Sequence, residues 1–145
     1  MSGKIRKMCA RDKNAVIEMM RIFYTSPAVF TNGSEEIFTS DVDACISDSP
    51  YIEGFVVEEG GEIIAYSMIA KSFSTEFGKP CVWIEDIYVK EEYRGRGIGT
   101  SILKYIESSY PDALLRLEVE AGNERALNVY KKCGYEVLPY MEMKK

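Results

Sequence analysis

The 145-residue sequence predicts a single mixed α/β domain whose central sheet is twisted and largely antiparallel, flanked by about four helices. Three observations predict it. Apolar stripes with helical spacing are interleaved with short β-branched and aromatic runs bounded by Gly, Pro and Ser. A glycine-rich junction late in the chain joins one such run to a helix, so a β-α-β crossover lies beside the antiparallel strands. With 46% hydrophobic and 28% charged residues and no composition break, the chain builds one core across residues 1–145.

Residues 4–8 read as a first strand. Asp12 is placed to cap a helix whose Val16, Met19, Met20 and Phe23 fall at i, i+3, i+4 and i+7. Thr25-Ser26-Pro27 ends it. Ser34 caps a second helix carrying Phe38, Val42, Cys45 and Ile46, which stops before Ser49-Pro50. Residues 52–58 and 62–70 are strands joined at Glu59-Gly60-Gly61, a tight-hairpin signal. Residues 81–89 form a further strand after Gly78-Lys79-Pro80. A glycine loop leads into a helix with Ile98, Ile102, Tyr105 and Ile106 on one side, and residues 114–119 are the next strand. Asn123 caps a last helix closed by Gly134, and residues 135–138 and 140–143 look like short closing strands around Pro139.

Bulk chemistry narrows the function. No apolar run approaches the roughly 20 residues of a membrane helix, and the N-terminus lacks a signal peptide's apolar core. A cytoplasmic protein without a membrane partner is therefore expected. The formal charge of −5 argues against nucleic acid, whose binding rests on Lys and Arg contacts to phosphate. Cys9, Cys45, Cys81 and Cys133 are widely spaced and the chain holds no histidine, so no metal site is expected. Without histidine, proton transfer falls to a carboxylate, a tyrosine, a cysteine or water.

The strongest chemistry lies in Tyr93-Arg94-Gly95-Arg96-Gly97-Ile98-Gly99-Thr100. Three glycines in five residues let backbone N–H groups turn inward, and the unpaired amides of the following helix add the positive end of its dipole. Together with Arg94 and Arg96 they make an anion site fit for a pyrophosphate. The spacing is neither that of a P-loop nor of a dinucleotide-binding GxGxxG.

Arg94-x-x-Gly97-x-Gly99, preceded by the apolar strand 83–89, resembles the acetyl-CoA signature of the GNAT superfamily of N-acetyltransferases. A second block is similar to that superfamily's second motif: Asn123-Glu124-Arg125-Ala126, then Tyr130-Lys131-Lys132-Cys133-Gly134-Tyr135. The resemblance extends over the whole chain. It implies a sheet whose central strands splay apart, and acetyl-CoA as co-substrate. Backbone groups of Ile87, Tyr88 and Val89 are then expected to pair with the pantetheine arm. The amides of Arg94, Gly95, Arg96, Gly97, Ile98, Gly99 and Thr100 would hold the pyrophosphate, while Asn123 would contact the arm from the other side or serve only as a helix cap.

Acetyl transfer needs a neutral amine, a polarised thioester carbonyl and a proton for the departing thiolate. Glu85 and Asp86 lie mid-strand. Under simple alternation Glu85 shares a face with Trp83, Ile87 and Val89, and Asp86 shares one with Val82, Ile84 and Tyr88, an assignment that a bulge in this strand, usual in the superfamily, would change. Burial in such company raises a carboxylate's pKa towards the working range. The resemblance implies Glu85 as the base or amine-binding group, often through water; Asp86 and a purely structural pairing, with Arg116 for instance, stay open. It also implies Tyr130 as the acid for the CoA sulfur (with contact to the cofactor) and the Ile87 N–H as the group that polarises the carbonyl. With no histidine to activate a cysteine, direct attack in a ternary complex is expected.

The first two helices and nearby strand ends offer Phe23, Tyr24, Phe30, Phe38, Tyr51, Phe73 and Phe77. Glu35, Glu36, Asp41 and Glu76 are candidate partners for a cationic amine. The expected partner is a small-molecule primary amine, and a homodimer through the C-terminal strands is compatible with the chain. Two alternatives stand beside this reading: a CoA-binding sensor that has lost turnover, and an N-acetyltransferase of peptides or proteins. Acceptor identity and acyl length stay open.

Overall fold

The computed structural model describes residues 3–145. Five strands form one sheet in the order β1-β2-β3-β4-β5: β1 Lys4–Lys7, β2 Ile52–Glu59, β3 Glu62–Ser74, β4 Lys79–Val89 and β5 Leu114–Leu117. The first four are antiparallel neighbours, and β5 joins β4 in parallel after the crossover through α3, Ile98–Ser109. The remaining helices are α1 Lys13–Phe23, α2 Glu35–Ile46 and α4 Glu124–Lys132.

The helices divide between the two faces of the sheet. Val16, Met19 and Met20 of α1 and Phe38, Val42 and Cys45 of α2 pack on one face, against Val56, Tyr66, Met68 and Tyr88. Ile98, Ile102, Leu103 and Ile106 of α3 pack on the other, against Phe55, Ile69, Val82 and Ile84, with Val129 and Tyr130 of α4 at the margin. α1, α2 and α3 each bury residues of the stripe their sequence spacing dictates.

The local signals behave according to their chemistry. The Ser34 hydroxyl accepts the Ile37 N–H at 3.2 Å, and the Asn123 Oδ1 accepts that of Ala126 at 3.3 Å. Gly60 and Gly61 have φ of 58° and 83°, the left-handed pair that a two-residue hairpin turn demands. Asp12 departs from expectation. Its side chain gives α1 no cap; it is buried, paired with the Arg6 guanidinium at 2.8 Å, and accepts the Cys9 N–H, which closes a capping box on the preceding 3-10 turn Ala10–Asp12.

Two expectations are corrected. Residues 135–138 and 140–143 form no strands, and Val137, Tyr140, Met141 and Met143 lie exposed. A run of alternating residues becomes a strand only where a neighbour receives its hydrogen bonds, and β5 is only four residues long. The second correction concerns β4. Met68 pairs with Asp86 but Ile69 pairs with Ile84, so Glu85 is the extra residue of a β-bulge. Before it, Val82 and Ile84 face α3; after it, Asp86 and Tyr88 face α1 and α2 while Ile87 and Val89 face α3. Asp86 therefore does not share a face with Val82 and Ile84, and Glu85 does not share one with Ile87 and Val89.

Candidate active site

The parallel ladder between β4 and β5 ends at Ile84↔Leu117, yet β4 runs on to Val89. Past that point the two chains separate, and among the described residues no strand pairs with 85–89 on that side. The backbone of Ile87, Tyr88 and Val89 thus borders a splayed gap where an extended ligand arm could add as a strand. One carbonyl there is engaged: the Arg94 Nε donates to Val89 O at 2.8 Å, with the guanidinium 5.3 Å from the Tyr88 ring centre.

Beyond Val89 a short 3-10 turn at Glu91–Tyr93 leads into the glycine loop. Gly95 and Gly97 adopt φ of 80° and 78°, which other residues reach only with strain. No atom lies within 4 Å of a Cβ built on Gly95, Gly97 or Gly99, so packing does not require glycine there; backbone shape and access do. The first intrahelical bond of α3 runs from the Ser101 N–H to Gly97 O at 3.0 Å. The amides of Ile98, Gly99 and Thr100 precede it and have no helical acceptor. Arg96 lies 5.1 Å from the Tyr93 ring centre, with Glu59 3.7 Å from its guanidinium. The loop is open, amide-rich and edged by two arginines. That fits a diphosphate.

Glu85 and Tyr130 line one cleft of about 1220 Å³ between β4, β5, α4 and residues 136–142. Leu117, Glu118 and Val119, where β5 departs from β4, belong to the same wall. The loop 94–100 and Asn123 are not part of that lining. The bulge turns Glu85 outwards, so it is exposed while its neighbours are buried. Partial desolvation nonetheless raises its pKa, reinforced by the charges of Asp86, Glu142 and Asp41. Tyr130 is half-buried beside Tyr135, their ring centres 6.1 Å apart, and burial raises its phenol as well.

Asp86 has a different environment. It is 4% exposed, with the Tyr24 hydroxyl donating to Oδ1 and the Tyr66 hydroxyl to Oδ2, both at 2.9 Å. Burial pushes its pKa up to about 6 despite the two tyrosine donors, which act to lower it. Tyr66 gave no sign of this role in the sequence beyond a polar tip amid apolar neighbours. The suggested Arg116 partner is occupied elsewhere, with its guanidinium 4.6 Å from the centre of the Trp83 ring.

Residues 15–135 match the model of the GNAT acetyltransferase family. This chain belongs to that family. The GNAT chain is 34% identical over 120 residues to a thialysine N-ε-acetyltransferase from Bos taurus, covering 75% of its own length and 68% of that relative. Among solved structures it is similar to a possible acetyltransferase from Clostridium difficile 630, with a TM-score of 0.85 at 20% identity over 100% and 97% of the two chains. An aminoglycoside N-acetyltransferase, AAC(6')-Iy, solved in complex with CoA, superposes with a TM-score of 0.82 at 13% identity over 99% and 93%. At such identities the two structures establish the fold. The GNAT chain is accordingly an acetyl-CoA-dependent N-acetyltransferase.

The remaining acceptor-site candidates scatter. Phe38 is core, and Phe23 and Tyr24 pack against it. Phe30, Tyr51, Phe73 and Phe77 are exposed. Glu35 is paired with Arg21 at 2.6 Å, and Glu76 accepts the Tyr140 hydroxyl at 2.5 Å. Asp41 stays in play, since its charge acts on Glu85, Asp86 and Tyr24. Glu142, also coupled to Glu85, escaped the sequence reading because its segment resembled a closing strand. Among the described residues no cluster of metal-ligating side chains occurs, all four cysteines are free, and no helix is long and apolar enough to cross a membrane.

Proposed function

We propose that this GNAT enzyme moves the acetyl group of acetyl-CoA to the primary amine of a small cationic molecule by direct attack. The observation that carries the reading is the shared cleft, with Glu85 on the β4 bulge and Tyr130 on α4 lining it beside the gap between β4 and β5. Glu85 takes up the proton of the incoming ammonium, directly or through one water. A carboxyl raised by desolvation and neighbouring charge is a better proton acceptor than an ordinary one. The Ile87 N–H polarises the thioester carbonyl. The Tyr130 phenol protonates the departing sulfur, and since a thiolate with a pKa of about 8.5 needs only modest help, this assists the reaction without governing it.

The backbone of Ile87, Tyr88 and Val89 receives the pantetheine arm. The amides of Arg94, Gly95, Arg96, Gly97, Ile98, Gly99 and Thr100 hold the diphosphate, with Asn123 opposite. Cofactor and amine thereby meet from the two sides of the sheet's splayed end.

Asp41, Asp86 and Glu142 surround Glu85 with negative charge, and that favours a cationic acceptor. Thialysine, the amine in the name of the Bos taurus relative, is a suitable first acceptor. A thiol-release screen with acetyl-CoA should include thialysine, lysine, diamines, an aminoglycoside and a peptide N-terminus. We expect turnover confined to small amines, with Glu85→Gln losing about 100-fold or more in kcat/KM. Turnover of the peptide alone would reassign the acceptor. Tight CoA binding without any turnover would make the protein a sensor.

A further inference from the structure

Asp86 moves no proton in the chemistry just described, yet it is a buried carboxylate with a tyrosine hydroxyl on each oxygen. Tyr24, at the C-terminal end of α1, and Tyr66 of β3 each donate to one of its oxygens at 2.9 Å. Its main-chain carbonyl accepts the Ser67 hydroxyl at 2.7 Å, and Ser67 is itself buried. All three contacts fall on the residue that follows the bulge. A bulge interrupts the ladder, leaves its extra residue unpaired and bends the strand. Here two side-chain donors and a hydroxyl replace the lost regularity, and the exposed Glu85 is the residue displaced outwards as a result.

We propose that Asp86 is a positioning residue: held between Tyr24 and Tyr66, it pins the bulge on which Glu85 stands and fixes the charge environment of that carboxyl. The inference rests on the assignment of Glu85 as base and adds the device that makes Glu85 suited to the task. The groups facing the pair are identifiable on every packed element. Tyr24 comes from α1, Asp41 and Cys45 from α2, Tyr66 from β3 and Glu142 from the C-terminal segment. None of these is a cation; Arg116 of β5 and Lys131 of α4 line the same cleft, but the Arg116 guanidinium is turned onto the Trp83 ring and neither forms an ion pair with Glu85 or Asp86, so the negative charge on Asp86 reaches Glu85. Ionised Asp86 makes Glu85 hold its proton to higher pH, in keeping with the raised Glu85 carboxyl. Because Tyr24 also ends α1, the same clamp ties the acceptor-side helix to the base.

The test is a ¹³C-carboxylate NMR titration of the wild type and Asp86→Asn, with the Glu85 resonance identified by its loss in Glu85→Gln, alongside the pH dependence of kcat/KM. Asn keeps the side-chain shape and removes the charge. The expected result is a Glu85 midpoint at lower pH in Asp86→Asn, with the acid limb of kcat/KM moving the same way. An unmoved Glu85 midpoint overturns the inference. A midpoint that moves while the acid limb stays supports the coupling and removes Glu85 as the base. Ser67→Ala tests the pinning separately and serves even if Asp86→Asn does not fold, because every charge and both tyrosine donors remain. It should lower kcat about 3- to 30-fold, as expected when a reacting group is misplaced by a fraction of an ångström, with the KM for acetyl-CoA unchanged. A wild-type kcat in Ser67→Ala overturns the pinning of the bulge.

Discussion

Replacing Gly97 with Ala separates the glycine loop's role in binding from its role in folding. Gly97 has φ of 78°, and no atom lies within 4 Å of the added methyl group, so the substitution creates no clash. The structural cost is confined to the backbone. Holding an L-residue in the left-handed region costs about 1–2 kcal/mol, roughly a 3–8 °C loss in Tm for a domain of this size. If the loop relaxes to relieve that strain, the amides around α3's first turn no longer converge. Each charge-assisted hydrogen bond lost from a phosphate is worth about 1.5–3 kcal/mol, or about 10- to 150-fold in Kd. The matched control is Gly78→Ala, in the turn between β3 and β4, with φ of 65° and equally empty surroundings. It should lose similar stability and none of the affinity for CoA. Calorimetric titration with CoA and thermal unfolding of both variants give the four numbers required. Equal CoA affinity in Gly97→Ala and wild type, at the expected Tm loss, would refute the assignment of the diphosphate to this loop.

Other consequences can be measured directly. Tyr130→Phe keeps the ring and its contact with Tyr135, so we expect kcat to fall about 10- to 100-fold with the KM for acetyl-CoA unchanged in steady-state assays. Asp86 is an acid whose folded-state pKa is raised from 3.8 to about 6, so the folded state binds the proton more tightly and this group's contribution to stability declines as pH rises through that interval. The interval corresponds to roughly 3 kcal/mol, and denaturant unfolding between pH 4.5 and 7.5 should show the stability of Asp86→Asn improving relative to wild type as pH rises. Asn123→Ala removes the acceptor for the Ala126 N–H and should cost about 1 kcal/mol in the same unfolding experiment. A loss of CoA affinity beyond that of a destabilised fold would give Asn123 its second role.

The helices and most of the sheet were legible because one signal sufficed for each. Stripes at i, i+3, i+4 and i+7 placed α1 and α3, and paired glycines placed the β2–β3 turn. The separation of β4 from β5 was legible only through the family resemblance. The resemblance also allowed for a bulge in β4, but its position at Glu85 was not legible, because a bulge leaves no trace in a period-two pattern. Val82 through Val89 reads as uninterrupted alternation, and only the partner strand reveals the register shift between Met68 and Ile69. Asp12 was misread for a related reason. A cap and a buried ion pair draw on the same residue type, and Arg6, six positions earlier, decides between them in three dimensions. The C-terminal segment carries strand-like alternation but pairs neither with the short edge strand β5 nor with the open stretch of β4.

The bulge also determines how this strand tolerates change. Removing Glu85 would restore an even ladder and leave Asp86, Ile87, Tyr88 and Val89 on the faces they now occupy, because the bulge sets one surplus residue against Met68. Adding or removing a residue anywhere else between Ile84 and Val89 without such an accommodation would turn Ile87 and Val89 towards α1 and drive Tyr88 against α3. Substitutions at Glu85 spare the architecture, since its side chain stands outside both clusters of packed residues. Chemistry at this point is therefore free to vary by exchange of side chains, and the surplus residue serves the cleft alone, since both packed faces would close equally well without it.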